Sequence, residues 1–179
     1  SLVSIAGESV LLTPTRKTLW GLLDKKAVVI GGGGTHRLNL SDAVLIKDNH
    51  LKILGGSISK ALKNLVGKGS GARFVEIEVE SKEDALKAAE DLNSLLSPDG
   101  ITAPACIMLD NFFVKDIVET LKLIKEKDLY DKVLFEASGG INADNLAEYV
   151  KSGVDIISMS EMTMAAKPLS FHLEIGASV

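Results

Sequence analysis

The chain has 179 residues, of which 46% are apolar, enough for one domain with a real core. Aromatic residues make up only 4% and the net charge is −4, which excludes a general binder of nucleic-acid backbones. One cysteine, Cys106, excludes an internal disulfide and offers no cysteine metal cluster; with no signal peptide or membrane-length apolar run, a cytoplasmic protein is expected. The charge is uneven. Residues 1–50 hold six Lys/Arg against four Asp/Glu, and two of the three histidines, which points to an anionic small molecule handled locally. No initiator methionine is present and residues 2–5 (LVSI) read as a strand already under way, so a fragment of a longer protein is expected.

In chain order, residues 10–12 (VLL) read as a strand that Pro14 ends, with Arg16 and Lys17 just beyond it, flanked by hydroxyls and suited to a carboxylate or phosphate. Residues 19–26 read as a short helix carrying Leu22 and Leu23 inward, and residues 27–30 (AVVI) as the next strand. Four glycines, 31–34, free the backbone for close approach and lead to His36 and Arg37. The apolar run 43–46 (AVLI) is of buried parallel-strand type and ends at Lys47, where α/β folds keep their chemistry.

From there the pattern repeats. Residues 57–66 are helix-like and 67–71 (GKGSG) are loop. Residues 74–80 (FVEIEVE) alternate, with Glu76, Glu78 and Glu80 on one face. That face is wet in an edge strand, but in a barrel it points inward toward the cations. A helix at 82–96 opens on a Ser81 cap, and strand 106–109 (CIML) ends in Asp110-Asn111. A helix at 116–127, a strand at 133–137, a helix at about 143–152 stopped by Gly153, and a last strand at 155–159 leading to Ser160 complete the core. Residues 170–175 (SFHLEI) read as a half-buried strand needing a partner.

Strands separated by helices imply a parallel sheet with right-handed crossovers. Polar residues close nearly every strand, which favours convergence on one barrel mouth over an open sheet. The expected fold is α/β, an incomplete (β/α) barrel of about six to seven parallel strands resembling a TIM barrel. The expected division is a barrel at 1–167 and a tail at 168–179 whose apolar face needs a partner. Ser138-Gly139-Gly140, a small-residue turn between strand and helix, suits a phosphate. Glu78 and Asp110 would serve a hydrated Mg²⁺ or sugar hydroxyls.

TRKT at 15–18, HRLxLSDAxLIKDNH at 36–50, VEIEVES at 75–81, MLDN at 108–111, EASGGI at 136–141 and SGVDIIS at 152–158 together resemble the quinolinate phosphoribosyltransferases, in order and spacing over most of the chain. The resemblance implies a pentosyltransferase of NAD biosynthesis. It would join quinolinate to phosphoribosyl pyrophosphate and release pyrophosphate and carbon dioxide to give nicotinate mononucleotide, with Mg²⁺, as a homodimer or higher homo-oligomer. It implies Arg16, Lys17, His36, Arg37 and Lys47 for the quinolinate carboxylates and the phosphates. Glu78 and Asp110 would serve ribose and Mg²⁺, Ser138, Gly139 and Gly140 the 5′-phosphate, and Ser160 the final phosphate loop; Lys47, Glu78 and Asp110 would be catalytic. It further implies that the barrel at 1–167 is the catalytic domain and that a missing N-terminal domain covers the partner's barrel mouth and packs on the tail at 168–179; without that domain this chain is expected to turn over slowly or not at all. The family's pattern departs at Leu19-Trp20-Gly21, after TRKT, and at Ser160, where glycine is usual. The alternatives are a related enzyme acting on nicotinate or another aromatic acid, and a non-catalytic phosphate-binding barrel.

Overall fold

The structure, a computed structural model, describes residues 2–67 and 71–176. Residues 68–70 of the expected 67–71 loop lie outside the described residues. The elements run α1 (Leu2–Ala6), β1 (Leu11–Thr13), α2 (Leu22–Ile30), β2 (Val44–Ile46), α3 (Asp48–Ile53), α4 (Ile58–Lys63), β3 (Val75–Val79), α5 (Lys82–Leu95), β4 (Ala105–Asp110), α6 (Val114–Glu126), β5 (Leu134–Ser138), α7 (Leu146–Val150), β6 (Ile156–Ser158) and α8 (Glu161–Met164).

All six strands are parallel, in the order β1-β6-β5-β4-β3-β2, so the sheet curls without closing. Strand periodicity assigns the two faces. Leu12, Ile77, Ile107, Leu109, Phe135, Ala137 and Ile157 are buried against the helical layer, where each large aliphatic or aromatic side chain contributes about 1.5–3 kcal/mol. Ala85, Ala88, Ala89 and Leu92 of α5 give that layer its apolar stripe, and the Ser81 side chain caps the helix by accepting the Asp84 N–H. The inner face is polar. Register brings Leu45, Glu76 and Cys106 abreast, then Glu78, Met108 and Glu136, with Thr13 beside Ser158. Glu76 and Glu136 are fully buried there.

Between the unpaired edges β1 and β2, the glycine segment lies along β1, with the Gly34 N–H donating to Leu12 O at 2.8 Å. Gly33 is required at this approach: a Cβ would stand 2.7 Å from Val28 Cγ1 and 2.9 Å from Leu12 O.

Four local expectations give way. Residues 2–5 belong to helix α1, and the AVVI run belongs to helix α2. Asp24 Oδ2 accepts the Trp20 N–H at 2.7 Å at the start of α2. The N–H groups of Gly31, Gly32 and Gly33 return to Ala27, Val29 and Val28 at its end, so the glycines stop a helix and not a strand. Leu22 and Leu23 face outward and are exposed, as are Leu19, Trp20 and Ile30. Residues 170–175 carry no strand, and Phe171, Leu173 and Ile175 are about 90% exposed (87%, 89% and 92%). No helix among the described residues is long and apolar enough to cross a membrane.

Candidate functional site

The carboxyl ends of the strands surround one cavity of about 460 Å³. Arg16, Lys17, His36, Arg37, Lys47, Glu78, Asp110, Ser138, Gly139, Gly140 and Ser160 all line it, so every residue singled out from the sequence comes to one mouth. Among the described residues the side chains of Arg16, Lys17 and Arg37 have no acidic partner. Arg37 is nearly buried, and burial followed by the charge of Arg16 lowers its pKa. Cations crowded in this way repel one another, and an anion between them removes the repulsion.

Lys25 of α2, which no local pattern marked, holds two loops of this wall together. Its buried Nζ donates to Pro14 O at 3.2 Å and to Thr35 O at 2.7 Å, tying the segment of Arg16 to that of His36. Burial, then the charges of Arg16 and Arg37, bring its pKa down to about 8. From the other side, the Thr163 hydroxyl donates to Lys17 O at 2.6 Å.

Opposite the cations stand the acids. Lys47 Nζ pairs with Glu78 Oε2, so this cation of the mouth is already matched by a carboxylate. The Asp110 pKa is raised by burial and then by the charge of Glu78, a pairing of acids that a cation would relax. At the start of α3 the neighbouring His50 Nδ1 accepts the Lys47 N–H at 2.9 Å, and its ring lines a second cavity with Arg16, Arg37 and Lys47.

The turn after β5 is built on glycine. Gly139 has φ 93°, and a Cβ there would meet Asn111 Oδ1 at 2.3 Å and Asn111 N at 2.7 Å. Gly140, at φ 64°, has open space around it. Among the described residues the N–H groups of Gly139, Gly140 and Ile141 have no protein acceptor, which leaves three donors along one turn. The expected helix N-terminus does not add to them. Helix α7 begins only at Leu146, and the side chains of Asn142, Asn145 and Glu161 take the N–H groups in between. At Ser160 φ is −74°, ordinary for any residue, so serine fits there without strain.

Below the mouth the sequence reading missed a cluster, because Glu76 and Glu136 look like strand residues until the barrel brings them together. His36 Nε2 lies 3.2 Å from Glu76 Oε2 and 3.3 Å from Glu136 Oε2. Burial followed by the charge of Glu136 raises the Glu76 pKa to about 7. Burial alone would lower the His36 pKa, but hydrogen bonds to Glu136 and Glu76 and their charges outweigh it and raise it to about 9. Both groups hold a proton more tightly folded than unfolded, so the stability they contribute is full at low pH and is lost as pH rises through these values. Unfolding free energy measured by urea is therefore expected to fall from pH 5 to pH 8, at no more than about 1.4 kcal/mol per pH unit for each proton. Glu76→Gln should flatten that slope; a stability that rises over the same range would contradict the cluster.

The chain matches, over residues 2–174, the model of the quinolinate phosphoribosyl transferase C-terminal domain. It is 41% identical over 170 residues to a probable nicotinate-nucleotide pyrophosphorylase [carboxylating] of Methanothermobacter thermautotrophicus, covering 94% of this chain and 57% of that protein. To the nicotinate-nucleotide pyrophosphorylase [carboxylating] of Homo sapiens it is 34% identical over 165 residues, covering 91% and 51%. The crystal structure of NadC from Streptococcus pyogenes superposes with a TM-score of 0.79 at 30% identity, over 97% of this chain and 56% of that one. The chain thus spans about half the length of the curated relatives it matches. Its open parallel barrel, its mouth of cations and acids and these matches agree: the chain belongs to the quinolinate phosphoribosyl transferase family and carries that family's C-terminal domain.

Proposed function

We propose that the protein carrying this chain transfers the phosphoribosyl group of phosphoribosyl pyrophosphate to quinolinate, with loss of pyrophosphate and carbon dioxide, forming nicotinate mononucleotide for NAD synthesis. The observation that carries the reading is the set of unmatched cations, Arg16, Lys17 and Arg37, in the same 460 Å³ mouth as Glu78 and Asp110. A substrate pair with two ring carboxylates, a 5′-phosphate and a diphosphate around a sugar calls for that division of charge.

Arg16 and Arg37 take the ring carboxylates, where a guanidinium fork gives a bidentate contact. Lys17 and Lys47 face the phosphates, Lys47 by exchanging its contact with Glu78. The free N–H groups of Gly139, Gly140 and Ile141, with the hydroxyls of Ser138 and Ser160, receive the 5′-phosphate. As the bond between the anomeric carbon and pyrophosphate breaks, the electron pair leaves with pyrophosphate and the ring nitrogen of quinolinate closes on the carbon. Glu78 and Asp110 stabilise the positive charge that develops there. Ribosylation makes the ring nitrogen cationic, and carbon dioxide then leaves with its bonding pair held by that ring until a proton from water replaces it. Positioning dominates this step.

Magnesium fits the acids: two carboxylates on adjacent strands, one of them already raised by the other, would hold a hydrated Mg²⁺ through its waters. Bound, it would supply neutralisation of the leaving pyrophosphate. A homodimer in a cytoplasmic setting completes the reading, supported by the exposed apolar residues of α2 and by Phe171, Leu173 and Ile175, which suit a covering domain. Release of pyrophosphate by the complete protein, dependent on quinolinate and not supported by nicotinate, tests it.

A further inference from the structure

Arg16 and Arg37 stand on different segments, one following β1 and the other following the glycines. Among the described residues no hydrogen bond joins residues 14–17 directly to residues 35–37. What joins them is a lysine. Lys25 Nζ donates to Pro14 O at 3.2 Å and to Thr35 O at 2.7 Å, and each of these carbonyls lies two residues before one of the arginines. One ammonium thus ties the two segments at matching places.

Lysine is costly there. No other lysine among the described residues is buried, and taking a charge out of water without an opposite partner weakens a fold. Burial, then the charges of Arg16 and Arg37, hold its pKa down at about 8, while the charge of Glu136 on β5 works against them. A lysine so tuned suggests a general base, but Lys25 does not line the mouth, and its ammonium is bonded to the backbone of the wall. A cation kept among cations, at a cost to the fold and outside the cavity, has the spacing of that wall left to serve.

We propose that Lys25 is a positioning residue: by clasping the Pro14 and Thr35 carbonyls it sets the spacing of the Arg16 and Arg37 guanidiniums, so that together they receive the two carboxylates of one aromatic diacid. This rests on the phosphoribosyl-transfer reading for the identity of the diacid but not for the clasp. The charge of the ammonium belongs to the device, since charge-assisted hydrogen bonds are roughly twice as strong as neutral ones and loss of the proton slackens both.

The test is calorimetric binding to the complete protein, with quinolinate and phosphoribosyl pyrophosphate each added alone. Lys25→Met should weaken quinolinate on the order of 10-fold, because both arginines must then be ordered on binding, and leave the donor within about 2-fold. A lysine acting through its charge alone would weaken the more highly charged donor at least as much. Equal losses, or no loss in either, would therefore overturn the proposal. A melting curve shows whether the variant folds, and the wild type gives a second arm that needs no variant. Between pH 7 and pH 9 its affinity for quinolinate should fall severalfold, with a step near 8 as Lys25 loses its proton, while affinity for the donor holds. Glu76 and His36 titrate to either side, at about 7 and about 9, and remain in Lys25→Met, whose profile should lack the step near 8. A wild-type quinolinate affinity that is flat over this range, or that falls in parallel with the donor's, would overturn the proposal. A wild type that binds quinolinate but releases no pyrophosphate from the donor would sink the reaction assignment and leave both arms to decide the clasp.

Discussion

Arg37→Met is expected to weaken quinolinate binding on the order of 100-fold while leaving the thermal midpoint unchanged or raised. Removing one partner of a desolvated, hydrogen-bonded charge pair costs about 2–5 kcal/mol of binding, and 100-fold lies within that range. The fold should not suffer. In the free protein the Arg37 guanidinium is nearly buried, is without an acidic partner among the described residues, and is repelled by Arg16, so methionine keeps the packing of its stem and removes the repulsion. Calorimetry and a melting curve on the same sample check both halves. Unchanged affinity would remove Arg37 from the site, and a collapse of stability would show that it serves the fold instead.

Gly139→Ala should abolish productive binding of the phosphoribosyl donor and lower stability by about 1–3 kcal/mol from backbone strain alone. The left-handed φ of 93° disfavours any side chain, and the added Cβ would fall on Asn111, at 2.3 Å from Oδ1 and 2.7 Å from the backbone nitrogen. Asn111 can swing its amide away, but its backbone N–H is fixed by Ser138 O at 2.8 Å, so the turn itself has to move. The free N–H groups then lose their common direction. Gly140→Ala is the comparison, since its Cβ would meet nothing within 4 Å and only the φ of 64° is strained. Similar donor affinities for the two variants would contradict a phosphate seat set by the Gly139 approach.

The mouth was legible in the sequence because in a parallel barrel one end of each strand is enough to place a side chain. Lys47, Glu78, Asp110 and Ser138 sit at such ends, and alternation in β3 put its glutamates on the inner face. Residues 27–30 misled because Val and Ile favour strands, whereas the capping contacts of Asp24 and the glycines decide for helix. Lys25 and Glu136 left no local sign. A lysine in a short helix and a glutamate in a strand are ordinary until tertiary structure buries them, one against Pro14 and Thr35, the other against His36. His36 was found for its charge and neighbourhood, but only the distances show that its ring stands between Glu76 and Glu136.

The central claim is that one mouth couples phosphoribosyl transfer to decarboxylation. Single-turnover mixing of the complete protein with carboxyl-¹³C quinolinate and phosphoribosyl pyrophosphate tests it most directly. Pyrophosphate and ¹³CO₂ should appear in equal amounts, with no ¹³CO₂ when the donor is omitted, and Arg37→Met should depress both together. Release of ¹³CO₂ without the donor, or of pyrophosphate without ¹³CO₂, would contradict the account.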